Sequence, residues 1–286
     1  MKERPVFGAV LMMLGMLTFP FGDAAVKYLS TDYTAIGLTW ARFVIGAIVL
    51  VPLSLLFAGR VTRLDRRLVA EQSVRAVLIV AATLLFIVSV SRIPLADAIG
   101  AYLIGPLVAS ALAYFLLGES FSVRRGLAVL VGFSGAMIIV RPGVSMETGY
   151  LYALSAGACF GAFLVASRAC TRSVHPFAAV AYQTIIGALV LAPFGVSILW
   201  EFRVEHAGLL ALTGLGSVVA NVFVVLALTM APATLLAPLV YVEIIGAAIL
   251  GYLIFGDVPS IQTTGGIVLI VLAGLVLIER SSESTG

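Results

Sequence analysis

The amino-acid sequence predicts an all-α membrane protein, with ten transmembrane helices arranged as two inverted five-helix repeats. Three observations carry that expectation. Of 286 residues, 62% are hydrophobic and 11% charged, whereas soluble domains run at about 45–50% apolar and about 25% charged. The apolar residues come in blocks of 15 to 23, parted by short polar stretches along the whole chain, which leaves no room for a soluble domain. Features of the first half also recur in the second at an offset near 139 residues.

A helical span needs roughly 17–25 mostly apolar residues to cross about 30 Å of hydrocarbon. Ten blocks fit: Val6–Tyr28, Ala35–Phe57, Val74–Ser91, Ala96–Leu117, Gly126–Val140, Gly149–Ser167, Phe177–Leu199, Gly208–Met230, Ala233–Phe255 and Thr264–Ile278. The fifth and tenth are the shortest and are expected to extend into their flanks. Runs such as Ile45 to Val51 and Gly266 to Leu272 are apolar on every side, unlike the alternating segments of a β-barrel. The first block follows Lys2, Glu3 and Arg4 but runs through Gly22 and Asp23 without a small-residue cleavage site, so it is read as a retained helix.

Several function classes fall away. A net charge of +3, dispersed along the chain, makes no basic face for nucleic acid. Cys159 and Cys170 are the only cysteines and match no haem, zinc or CxxC spacing, so neither a metal nor a cofactor is expected. No GxxxxGK[ST], HExxH or GxSxG occurs, and His175 and His206 are expected on opposite sides of the membrane, which argues against an ATP-driven pump and against an enzyme. A filter loop or ring of like charges, as in a channel, is not visible.

Placing the N-terminus in the cytoplasm puts Lys2, Arg4, Arg60, Arg63, Arg66, Arg67, Arg75, Arg124, Arg125, Arg168, Arg172 and Arg280 inside. Lys27, Arg92, Arg141 and Arg203 are then outside, a bias of twelve to four. Both termini are therefore expected on the cytoplasmic side of an inner membrane.

The repeat aligns Phe21-Gly22 with Phe160-Gly161, Ile45-Gly46-Ala47 with Ile186-Gly187-Ala188, Pro52 with Pro193, and Gly118-Glu119 with Gly256-Asp257. Residues 6–141 and 149–279 thus form two five-span units, followed by a short cytoplasmic tail at 280–286. An odd number of spans per unit inserts the second unit upside down, which is the architecture of secondary transporters with a midplane site.

In each unit a fourth helix ends in Gly plus an acid and leads through a short turn into a glycine-dotted fifth helix. The first copy runs Gly105-Pro106-Leu107 to Leu117-Gly118-Glu119, then Gly126, Gly132 and Gly135. The second runs Glu243-Ile244-Ile245 to Phe255-Gly256-Asp257, then Gly265, Gly266 and Gly274, with Ile244 in the proline's place and Asp257 for Glu. This pattern resembles the EamA-type repeat of the drug/metabolite transporter superfamily. The resemblance implies a permease for small organic metabolites such as amino acids, S-adenosylmethionine or riboflavin. The stretch from Asp23 to Lys27 looks most like the branch containing S-adenosylmethionine and riboflavin carriers.

A charge deep in a span costs at least about 2.5–3.5 kcal/mol on insertion scales, so each needs a partner or a wet cavity. Asp23 and Lys27 share a helix face, and Arg42 on the antiparallel second helix lies at the depth of Asp23. Asp23 and Arg42 are expected either to brace each other or, with Lys27, to hold the ends of a charged solute, while Lys27 can also snorkel outward. Pro20 is expected to let the first helix bend. Glu243 lies too deep to snorkel and reads as a substrate or proton site, with Asn221 and Tyr241 as neighbours. Trp40, Tyr102, Phe160 and Gln183 offer stacking and hydrogen bonds. Asp97 reads as helix N-terminal chemistry, and Glu119 and Asp257 as turns.

The sequence therefore predicts a secondary transporter working by alternating access. Its expected partners are a small metabolite, the lipid bilayer, and a proton or exchange solute, with a homodimer left open and no nucleic acid. A multidrug exporter of the same fold, with an aromatic- and Met-lined pocket, is the alternative.

Overall fold

The computed structural model describes residues 5–58, 66–117, 123–140, 147–170, 176–231 and 236–278. Expectations for Lys2, Arg4, Arg60, Arg63, Gly118, Glu119, Arg141, Arg172, His175, Ala233, Arg280 and the tail lie outside the described residues, as do those for the side chains of Arg67, Arg124, Arg125, Arg168, Cys170 and Gly274. The described backbone is helical: α1 Pro5–Leu29, α2 Ala35–Ala58, α3 Arg66–Val90, α4 Leu95–Tyr102, α5 Gly105–Leu117, α6 Val123–Val140, α7 Thr148–Cys170, α8 Pro176–Gly195, α9 Ala207–Met230, α10 Val242–Phe255 and α11 Ile261–Ile278. Seven segments among the described residues are long and apolar enough to cross a membrane, α4 and α5 together counting as one, and three shorter apolar helices join them. As expected for the short blocks, α6 and α11 reach back to Val123 and Ile261. The third helix differs from expectation more, because α3 begins at Arg66 rather than near Val74.

Two spans are broken among the described residues, each beside a proline of its own. In the fourth span Pro106 has no N–H, so the carbonyl of Tyr102 loses its helical donor. The chain turns at Leu103 and Ile104, and α5 restarts with Leu107 and Val108 both donating to the Ile104 carbonyl at 3.0 Å. Glycines of α7 leave room for the backbone at this break: an added Cβ on Gly157 would sit 2.6 Å from the Tyr102 oxygen, and one on Gly161 2.6 Å from the Gly105 oxygen. In the ninth span a 3₁₀ turn, Ala237–Tyr241, with Pro238 at its start, precedes α10. The kink left open by Ile244 therefore lies upstream of it, and Glu243 falls in the first turn of α10. α1, by contrast, continues through Pro20 without a break, and the ring of Pro20 seats close to Gly246 of α10.

Helix packing follows a two-fold plan. α1 lies along α9, α3 along α7, α2 along α8 and α6 along α11, while α10 packs on α1 and both α4 and α5 pack on α7. Exchanging the first five spans for the second five maps α1–α9 onto α7–α3 and α1–α10 onto α7 with α4 and α5. The pairs α2–α8 and α6–α11 map onto themselves. The α6–α11 seam brings backbones together: a Cβ on Gly266 would meet the Gly135 oxygen at 2.6 Å, and one on Gly135 would meet the Gly266 oxygen at 2.7 Å.

The turns after α1, α3, α8 and α10 gather on one face and are tied there. Lys27 Nζ donates to Asp257 Oδ2 at 2.5 Å and to the Ile93 carbonyl at 3.2 Å. Arg92 donates to Thr148 at 2.8 Å, Tyr33 Oη and His206 Nδ1 lie 3.0 Å apart, and Arg203 reaches Asp32 at 3.3 Å. Beneath these ties Val26, Leu29, Leu38, Ile93 and Leu95 are buried, so this face is sealed by apolar packing as well as by polar links.

Candidate functional site

Below the tied face a cavity of about 410 Å³ opens between eight spans, lined from α1, α2, α3, α4, α7, α8, α9 and α10. Among the described residues, none of its lining comes from α5, α6 or α11. The charged groups on its wall are Asp23, Arg42, Arg75 and Glu243, two of each sign.

Asp23 is 3% exposed, on the face of α1 that looks toward the cavity. Its Oδ1 accepts from Arg42 NH1 at 2.8 Å. Because α1 lies on α9 and α10 while α2 lies on α8 and α9, this ion pair bridges two helices that are packed on other partners. Glu243 reaches the cavity from the first turn of α10, directly after the 3₁₀ turn Ala237–Tyr241. Unlike Asp23, it has no hydrogen-bond or ion-pair partner among the described residues. Asn221, expected beside it, lines the same cavity but donates to the Ser217 carbonyl of its own helix at 2.8 Å.

Seven of the ten expected site residues line the cavity together: Asp23, Arg42, Tyr102, Phe160, Gln183, Asn221 and Glu243. Three do not. Lys27 sits on the tied face, with Asp257 and the Ile93 carbonyl as partners and the Phe255 ring 4.8 Å below its ammonium. Helix propagation explains this: four residues beyond Asp23, Lys27 is a full turn nearer the end of α1, and snorkelling ends on a carboxylate rather than in water. That carboxylate is positioned by Gly256, whose φ of 70° ends α10 in a left-handed turn while Asp257 N–H bonds back to the Gly251 carbonyl at 3.0 Å. Trp40 donates Nε1 to the Ala188 carbonyl at 3.0 Å and braces α2 on α8. Tyr241 is buried in the main apolar core at the end of the 3₁₀ turn.

Asp97, expected in a helix start, does lie in the first turn of α4. It also accepts from Tyr150 at 2.7 Å and from Thr263 at 3.3 Å, linking three helices.

Sequence reasoning missed Arg75, which it counted among cytoplasmic flanking charges. The side chain is 5% exposed and lines the cavity, and the inside-to-outside bias without it is eleven to four. The signal was present in Leu68-Val69-Ala70, an apolar patch that extends the third helix past the polar Glu71, Gln72 and Ser73. The aromatic and Met lining expected of a multidrug pocket is also partly met by Met12, Met16, Phe19, Phe43 and Phe86.

The profile of the EamA-like transporter family matches residues 6–141 and again 147–279. An S-adenosylmethionine uptake transporter of Rickettsia prowazekii (strain Madrid E) is 25% identical, the alignment covering 97% of this chain and 94% of that protein. The pseudopaline exporter CntI of Pseudomonas aeruginosa (strain UCBPP-PA14) is 31% identical over 94% of this chain and 95% of its own. A riboflavin transporter of Brucella anthropi is 27% identical over 74% of this chain and 77% of its own. One solved structure superposes with a TM-score of 0.64 at 20% identity, covering 98% of both chains, a likeness of fold alone.

Proposed function

This chain belongs to the EamA-like transporter family, and we propose from that premise that it moves a small zwitterionic organic metabolite across the inner membrane by alternating access. Family membership makes it a transporter rather than an enzyme. Two inverted five-helix units, residues 6–141 and 149–279, rock around the cavity; the two-fold plan of helix packing supports this reading. With both termini in the cytoplasm, the tied face is the periplasmic one, and the cavity is loaded or emptied from the cytoplasmic side in this state.

The observation that carries the proposal is the Glu243 carboxylate, which faces the cavity with no hydrogen-bond or ion-pair partner among the described residues while Arg42 is matched by Asp23. A cationic group on the solute supplies the missing partner, and the Asp23–Arg42 pair opens to share its charges with the rest of the solute. S-adenosylmethionine, carried by one relative, has the required chemistry, with an ammonium, a sulfonium and a carboxylate. A proton on Glu243, or a second solute in exchange, takes the place of the cargo on the return step. The relatives include both an uptake carrier and an exporter, so direction is set by gradients and by which solute returns.

Purified protein in proteoliposomes is tested for flux of labelled S-adenosylmethionine and, in parallel, riboflavin. Flux of the zwitterion and none of riboflavin is the expected result; the reverse overturns the charge-based reading of the cavity. Orientation is checked in intact cells lacking Cys159 and Cys170: a cysteine at Ser30 labels from outside, and one at Thr62 does not.

A further inference from the structure

Three half-buried rings line the cavity in a row along its α4–α7 wall. Tyr102, the last residue of α4, meets Phe160 of α7 with ring centroids 5.0 Å apart, and Phe160 stacks on Phe163 at 6.0 Å. Phe86, buried on α3, backs Tyr102 at 5.2 Å. The break in the fourth span makes room for the row: an added Cβ on Gly105 would sit 2.8 Å from Phe160 Cδ1, so the ring fills the space that the missing side chain leaves. At the far end the Arg75 guanidinium rests over the Phe163 ring at 5.4 Å. The row is thus packed at both ends by the protein itself. Glu243 faces the same cavity from the Tyr102 end, because α4 packs on α10, and Tyr102 and Ile244, next in the chain to Glu243, lie against one apolar core.

A flat ring set against aromatic side chains gains from ring–ring pairing beyond the apolar area it buries. The face of an aromatic ring also attracts a cation, more strongly where water is excluded. Rings already packed in place lose little freedom when a ligand arrives, so little of this gain is spent on ordering them. We propose that Tyr102, Phe160 and Phe163 form a ring subsite beside Glu243, and that the cargo is a cation carrying a flat ring within a few bonds of its charge. This inference rests on the reading of Glu243 as the partner of the cargo's cationic group. It narrows that reading: the cation lies between the carboxylate and the Tyr102 ring, the flat ring lies along α7, and ring-free amines are weak ligands.

Fragment binding to the full-length protein in detergent, followed by saturation-transfer NMR against protein-free micelles, tests the subsite without the true cargo. Phenethylammonium supplies ring plus cation, cyclohexylethylammonium the same cation on a puckered ring, butylammonium the cation alone and benzyl alcohol the ring alone. Phenethylammonium is expected to bind about fivefold more tightly than cyclohexylethylammonium, the factor that aromatic pairing supplies, although hydrocarbon area alone ranks the puckered ring first. Phe160→Leu and Phe163→Leu each lower that preference, whereas Phe160→Tyr, which keeps a ring in place, retains it. Equal binding of the flat and puckered cations by the parent, or a preference that survives in both Leu variants, overturns the subsite and leaves the Glu243 reading standing. Glu243→Gln is expected to weaken all three cations while benzyl alcohol holds. Cations that bind this variant as tightly as the parent remove the Glu243 reading and the subsite with it, a signature distinct from loss of the ring preference.

Discussion

The two arginines of the cavity are held in different ways. Arg42 is met by a carboxylate, Asp23, in an ion pair 13% and 4% exposed; Arg75 is met by a hydroxyl, an amide and a ring. The first is a direct ion pair across two helices, and the second fixes a guanidinium with a hydroxyl, an amide and a ring face. Glu243 completes the contrast as a carboxylate that neither arginine takes up. In the proposed cycle the Asp23–Arg42 pair holds the empty cavity together and Glu243 meets the cargo, so the two tasks fall on different residues.

The largest expected effect comes from the residue outside both arrangements. Glu243→Gln keeps shape and hydrogen-bonding capacity but loses charge, and it should reduce net transport to background with normal yield of folded protein. Comparing uptake under an imposed pH gradient with counterflow at equal pH separates a proton role from a cargo role. A variant that matches the parent in both assays moves the site to Asp23 and Arg42.

Next is the matched pair itself. Removing one partner of a buried ion pair costs about 3–5 kcal/mol, whereas replacing both by apolar groups of similar volume is often neutral. Asp23→Ala should therefore lower the unfolding midpoint strongly, and Asp23→Leu with Arg42→Met should restore it while abolishing transport. Restored stability with transport intact makes the pair a brace alone. Ser167→Ala is expected to cost less, about 1.5 kcal/mol for one hydrogen bond to a charged group. A loss as large as that of Asp23→Ala would erase the contrast between the two arginines.

The smallest effect is assigned to the tied face. Lys27 and Asp257 are 16% and 23% exposed, and a pair of this kind is worth about 1 kcal/mol or less. Asp257→Asn should shift thermal stability little and raise labelling of cavity cysteines from the periplasmic side, because a tie between turns is loosened while the core beneath it is kept.

How much of this was legible in the sequence depends on the kind of signal. Span number and the recurrence near 139 residues rest on apolar periodicity and duplicated glycines, which survive loop changes. That Asp23 and Arg42 meet followed from counting residues along two antiparallel helices, since a helix rises by a fixed amount per residue. Rotation about the helix axis did not follow. Trp40 lies two residues before Arg42, yet its ring turns to the Ala188 carbonyl of α8 rather than to the cavity. Arg75 was hidden because a charge near a block edge reads as a flank until the true helix start, set by residues 66–73, is known. The ninth-span break was sought at Ile244 by analogy with Gly105-Pro106, while its proline, Pro238, stands six residues upstream.

The glycine seam between α6 and α11 has a consequence for inheritance. Its backbones touch, and among the described residues neither helix contributes to the cavity wall, so a substitution there is expected to be felt as less protein in the membrane rather than as a change of cargo. A genetic screen for altered cargo should return codons of α1, α3, α7 and α10 and stay silent on Gly135 and Gly266. Descendants of such a chain are free to trade one cargo for another while the seam is passed on unchanged.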